Sequence, residues 1–206
     1  MKIEMLTLKI IFIVLFLFSC GGGDINQPVI KESAQEFVRL GWKAYEAGDY
    51  DTALSKFGQA KKLDPNFGEA YSGLGWTNFG IQELTSASQS FIQANLLDSL
   101  NIDPIIGNVF VEFEQNNYQN AITWANRAFA RDSVKFSGKT TQRYVFKHNS
   151  RANYTQVHKI VALGYYYLGE FEKSYNHIKQ YLNPSLQLDP KSLAFPRQLL
   201  EELHKI

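Results

Sequence analysis

Cysteine is almost missing from this chain: Cys20 is the single one in 206 residues. With no second thiol, a zinc centre would have to be built from histidine and carboxylate ligands. The four histidines, His148, His158, His177 and His204, have neither the HExxH spacing nor that of a metal finger. No GxSxG elbow and no phosphate-binding glycine loop occurs. No catalytic residue, metal or cofactor is therefore expected, and the chain reads as a non-enzyme. Charge of one sign is lacking too. Lys and Arg number 21 against 20 acidic residues, a net charge of +1, which provides no field for nucleic acid or a membrane surface. Long apolar runs are also absent. Ile10 to Phe18 is an unbroken run of nine, suited to the core of a secretory leader and well short of the ~20 residues a membrane-spanning helix needs.

What is present is a globular composition, 45% apolar and 20% charged, with ample material for a core. It is organised by a repeat. Sliding the sequence by 34 residues superposes Ala53, Ala87 and Ala121, and likewise Ala60, Ala94 and Ala128. The same shift aligns Leu40 with Leu74, Gly41 with Gly75, and Phe57 with Phe91. A fixed period without insertion marks a repeat array. Each unit holds two apolar-periodic segments joined by a turn of the Gly48-Asp49-Tyr50 type. Phe37, Leu40, Gly41, Ala44 and Tyr45 share one helical face, as do Ala53, Leu54, Phe57 and Ala60. Small residues stand where two backbones approach, with a large ring opposite. Leu63-Asp64-Pro65 is expected to end the second helix, because the residue before proline is pushed from helical geometry.

These positions resemble the tetratricopeptide repeat family, whose 34-residue signature is W-x2-L-G-x2-Y, then A-x3-F-x2-A, then P. The first unit supplies Phe37, Leu40-Gly41, Tyr45, Ala53, Phe57, Ala60 and Pro65. The second supplies Tyr71, Leu74-Gly75, Ala87, Phe91 and Ala94, with Ser99 in place of the proline. The third keeps Ile105, Asn117-Tyr118, Ala121, Ala125 and Ala128, with Asn108-Val109 replacing Leu-Gly. The resemblance implies an all-α fold, a helix-turn-helix solenoid that serves as a generic binding scaffold.

The start of the chain carries a second resemblance. Lys2 and Lys9 accompany the apolar run, and Leu17-Phe18-Ser19-Cys20 closes it. This looks like a bacterial lipoprotein signal, which implies that residues 1–19 are removed and that Cys20 is lipidated as the mature N-terminus. Residues 20–33, with Gly21-Gly22-Gly23 and Pro28, have the composition of a flexible tether. No aspartate follows Cys20 directly. By resemblance to enteric lipoproteins, that favours the outer membrane over inner-membrane retention, hence a lipid-anchored place in the bacterial cell envelope.

The three regular repeats span 34–133. Residues 134–156 break the pattern with a basic, aromatic insertion loop containing Lys139, Arg143, Lys147 and Arg151 and no acidic residue. It is expected as a solvated loop or as a secondary contact for a partner or anionic lipid; short runs within it invite a hairpin. Residues 157–206 read as a divergent fourth repeat, with Ser174 and Tyr181 at positions usually small, followed by a capping helix from Ser192 with Pro196 near its start.

The candidate binding site is a ladder of rings: Trp42, Trp76 and Phe110 are 34 apart, as are Tyr45, Phe79 and Phe113. The family resemblance implies that the first helix of each pair lines a concave wall, with Trp42, Trp76 and Phe110 stacked along it and the Tyr45 set beside them or between repeats. Rings at helical spacing also suit a core. Open, the wall would take an extended or helical peptide. The expected partner is thus a protein or peptide in the concave groove, with the membrane engaged through Cys20 and no nucleic acid. Two alternatives stand beside it: a glycan stacked on the rings, or membership in an outer-membrane or pilus assembly machine.

Overall fold

The computed structural model describes residues 33–137 and 143–206. The leader, Cys20, the tether before Ser33, and Lys139 lie outside them. Successive helices form antiparallel pairs: α1 (Ala34–Glu46) with α2 (Tyr50–Leu63), α3 (Gly68–Gly80) with α4 (Leu84–Leu97), and α5 (Asp103–Glu114) with α6 (Tyr118–Arg131). A short helix α7 (Ser133–Phe136) opens the insertion. A fourth pair follows, α8 (Tyr154–Tyr167) and α9 (Phe171–Tyr181), and α10 (Phe195–Lys205) closes the stack. Each first helix also packs on the second helix of the pair before it, and α8 packs on α6 across the insertion.

Helix starts follow from local chemistry. Ser33 accepts from the Glu36 N–H at 3.1 Å, Asp49 from Thr52, and Asn153 from Gln156, each satisfying an orphan donor of a first turn. The end expected at Leu63-Asp64-Pro65 is met, with α2 stopping at Leu63 and Asp64 extended. Asp64, Asp98 and Asp132, spaced by 34, all leave helical geometry with φ between −133° and −137°, yet only Asp64 precedes proline. Their common device is the carboxylate, which accepts backbone N–H groups of the following turn: Asn66, then Leu100 and Asn101, then Lys135. Turns within pairs repeat as well. Gly48, Gln82 and Asn116, again 34 apart, hold φ of 77°, 66° and 61°.

The core is built on rings seated against bare backbone. Phe57 lies between Gly41 and Gly73, and Phe91 between Gly75 and Gly107. A methyl group on Gly73 would lie 2.2 Å from Phe57, and one on Gly107 2.3 Å from Phe91. Neither ring has room to withdraw, since Phe57 and Phe91 are completely buried. We expect Gly73→Ala and Gly107→Ala each to cost about 1–3 kcal/mol in a urea melt. Adding Phe57→Leu should recover part of the Gly73→Ala loss; an uncompensated loss would refute the steric account.

The last helix begins later than Ser192, at Phe195, with Pro196 in its first turn. Its Phe195, Leu199 and Leu203 pack with Tyr175 and Ile178 of α9 and Ala162 of α8, covering the array's end. Ser174 stands in for alanine because its hydroxyl donates to the Ala162 carbonyl at 2.8 Å. Among the described residues no helix is long and apolar enough to cross a membrane.

Candidate functional site

The ring ladder lies on one wall, as the repeat spacing requires, but the wall is not open. Trp42 is 5% exposed and Trp76 1%. What covers them is the insertion. Residues 143–154 form a strap pinned by backbone bonds from Phe146 N–H to the Ala152 carbonyl and from Tyr154 N–H to that of Tyr144, both 2.8 Å. Among the described residues the hairpin suggested by the sequence is reduced to one antiparallel bridge, Val145 with Asn153.

The strap runs along the wall from the third repeat to the first with the two-residue alternation of an extended chain. Tyr144, Phe146 and His148 face inward, while Arg143, Val145 and Lys147 face outward. Phe146 stacks on Trp76 at 4.5 Å between ring centroids and meets Trp42 edge-on at 5.7 Å. The His148 ring lies parallel to Trp42 at 4.0 Å, and its Nδ1 lies 2.7 Å from Glu46 Oε1. Asn149 donates to the Tyr45 hydroxyl at 3.1 Å, so Tyr45 is buried as well. A solvated loop or a partner-contacting arm is therefore the wrong description of this segment's inner half. Its rings had apolar surface to bury, and the aromatic wall was the surface available.

The two tryptophans differ in one polar detail. Trp42 Nε1 donates to Glu69 at 3.1 Å. One repeat on, Asp103 replaces Glu69, is one methylene shorter, and accepts instead from the Tyr144 hydroxyl at 3.0 Å. Trp76 Nε1 consequently finds no partner among the described residues. Burial holds the Asp103 carboxyl above its ordinary range, and burial beside that carboxylate holds the Tyr144 phenol well above its own, so Tyr144 remains a neutral donor.

The other rings are half-buried. Phe79 meets Trp76 and Phe110 edge-on, and Phe113 leans on Tyr118 within its own repeat and on Tyr167 across the repeat boundary. Beyond the strap, a cleft of about 610 Å³ stays open at the first-repeat end, its rim carrying Gln35, Arg39, Lys43, Glu69 and Lys147. A second, of about 370 Å³, lies between residues 100–103 and the strap, and Lys147 borders both. Of the basic loop residues, Arg143 and Lys147 come together at the second cleft and Arg151 does not line it. Among the described residues no group of three metal-ligating side chains occurs.

No family model and no curated protein sequence matches the chain. Solved structures do. The crystal structure of MamA aligns with a TM-score of 0.58 at 17% identity, over 84% of this chain and 81% of that one. PilF of Pseudomonas aeruginosa aligns with 0.60 at 16%, over 84% and 69%. TTC0263, a thermophilic tetratricopeptide repeat protein of Thermus thermophilus, aligns with 0.54 at 21%, over 84% and 82%. The fold is a tetratricopeptide-type solenoid. In this solenoid the aromatic wall holds an extended stretch of the same chain where the resemblance placed an open groove.

Proposed function

We propose that the protein is a non-enzymatic scaffold, anchored to the bacterial envelope through Cys20 with the outer membrane favoured, that binds a protein or peptide partner along its concave side. One observation carries the binding half of this reading. The wall accepts an extended segment by inserting every second side chain, Tyr144, Phe146 and His148, and open clefts continue along the strap. A partner would contact this remaining rim and not the rings themselves. The glycan alternative fares worse, because sugar stacking needs a free ring face. His148 and Phe146 occupy a face of Trp42 and of Trp76. An envelope assembly machine is one setting in which such a partner would be met.

The test is affinity capture by the full chain from detergent-solubilised envelope. Alanine at Trp42 or Trp76 would empty the core, so the discriminating variant is Arg39→Glu with Lys43→Glu, both on the exposed cleft rim. Wild type should hold a specific partner that the folded variant releases, and Cys20→Ser should move the chain out of the membrane pellet. Recovery of the same proteins by both baits would refute the rim assignment. A Cys20→Ser chain still in the pellet would refute the anchor.

A further inference from the structure

The smaller cleft differs in character from the rest of the surface. Its strap side presents Arg143 and Lys147, and Lys135 of α7 stands beside them. Three cations from two segments thus converge on one depression, in a chain whose net charge is only +1. The cations are held in different ways. Arg143 lies over the Tyr154 ring at 4.7 Å, and Lys135 pairs with Asp132 at 3.0 Å. Among the described residues Asp103 is the one acid in the lining, and it is engaged by Tyr144. The rims are apolar. Leu100 is 83% exposed and Val145 56%, and both line the cleft. Exposed leucine and valine beside converging cations call for an occupant that is both acidic and apolar.

The strap contributes backbone as well. In an antiparallel pair, residues flanking a non-bonded bridge exchange the hydrogen bonds. The Tyr144 carbonyl accepts from the Tyr154 N–H and the Phe146 N–H donates to Ala152, while the Tyr144 N–H donates to the Lys135 carbonyl; the N–H and C=O of Val145 therefore point away from the Tyr154 side, as the groups of a sheet edge do. An extended chain laid there gains main-chain bonds, while its alternate side chains meet Leu100 and the cations.

We infer that the cleft between residues 100–103 and the strap binds an acidic, extended peptide segment of the scaffold's partner, one that alternates apolar and carboxylate side chains. The inference rests on the scaffold reading and names the chemistry of its ligand. A flat membrane surface fits less well, because the cations line a depression with its apolar side chains at the rim.

Fluorescence anisotropy tests it on the full chain in detergent, with a labelled octapeptide of alternating leucine and aspartate as probe. The same peptide with lysine for aspartate, and vesicles containing phosphatidylglycerol, complete the panel. Wild type should bind the acidic peptide and not the basic one, and added salt should weaken binding. Arg143→Glu with Lys147→Glu should reduce affinity about tenfold or more. Arg151→Glu with Lys191→Glu changes net charge equally on exposed residues outside the cleft lining and should leave affinity within about twofold. Lys147→Glu alone serves if Arg143→Glu disturbs the strap, as judged by circular dichroism. No acidic-peptide binding, or equal loss in both charge-reversed pairs, would overturn the inference. So would binding to anionic vesicles that is lost in the cleft variant while the peptide fails to bind. Envelope capture run in parallel separates the readings: a partner retained by the cleft variant would leave the scaffold standing and remove this cleft from it.

Discussion

Phe146→Ala should destabilise the protein by about 3–5 kcal/mol, although Phe146 belongs to neither helix of any repeat. The ring is 2% exposed and touches Trp76, Trp42 and His148. Removing it forfeits burial of an aromatic side chain and leaves a void between two tryptophans that helix backbones hold in place. The cavity cannot close cheaply, because Trp42 and Trp76 are also braced by Phe57 and Phe91 from behind. Ring contacts add about 0.5–1.5 kcal/mol per pair beyond area alone. A urea melt monitored by tryptophan emission should show a lower midpoint and a native spectrum shifted to the red as water reaches Trp76. Val145→Ala, one residue away on the outer face, should change stability by less than about 0.5 kcal/mol. If the two variants prove equally mild, the strap does not seat as described and the aromatic wall is open.

Acid should unfold the protein earlier than its surface carboxylates alone would bring about. His158 Nε2 lies 3.2 Å from the Phe136 carbonyl, which only an N–H can satisfy. Its Nδ1 is therefore the acceptor for His177 Nε2–H at 2.9 Å. Burial holds the His158 ring at a pKa of about 4, with Arg143 adding to the effect. Burial, with His158 beside it, holds His177 at about 3. The sign follows from proton counting. Between the unfolded value near 6.5 and these lowered values, the unfolded chain binds protons that the native chain refuses. Stability is therefore complete above about 6.5 and falls as pH drops toward 4. At pH 5 the loss is roughly 2 kcal/mol per ring, together roughly 10 °C of melting temperature for a chain of this size. Asp103 works in the opposite sense, since its carboxyl is raised by burial and the native form takes up its proton first. Melts at pH 7.5 and 5.0 check the shift, and an NMR titration should show two histidine rings still neutral at pH 5. A change under about 3 °C with the His158 and His177 rings protonated at pH 5 would refute the buried pair.

Helix pairs were legible because their determinants are local and repeated: an apolar face every three or four residues, small residues at backbone crossings, and turn residues every 34. The terminator was local as well. Proline at position 65 drew attention, whereas the carboxylates of Asp64, Asp98 and Asp132 close the helix in all three repeats. The alternation of Tyr144, Phe146 and His148 was a readable signal for an extended segment with one apolar face. Its basic outer residues, Arg143, Lys147 and Arg151, concealed that signal by giving the stretch the look of a solvated loop.

The ladder of Trp42, Trp76 and Phe110 shows where reading must stop. Its existence and spacing are properties of the chain, and so is the wall it forms, because identical positions in stacked repeats must fall on one side. Whether that wall faces water or protein depends on a segment more than sixty residues away from Trp76, docked by contacts with no sequence period. The repeat, the helices and the aromatic wall were determined by sequence alone, through short-range geometry copied three times. The covering of the wall, the neutral histidine pair and the basic cleft were decided by tertiary structure, because each arises where distant segments meet to bury surface that neither can bury alone.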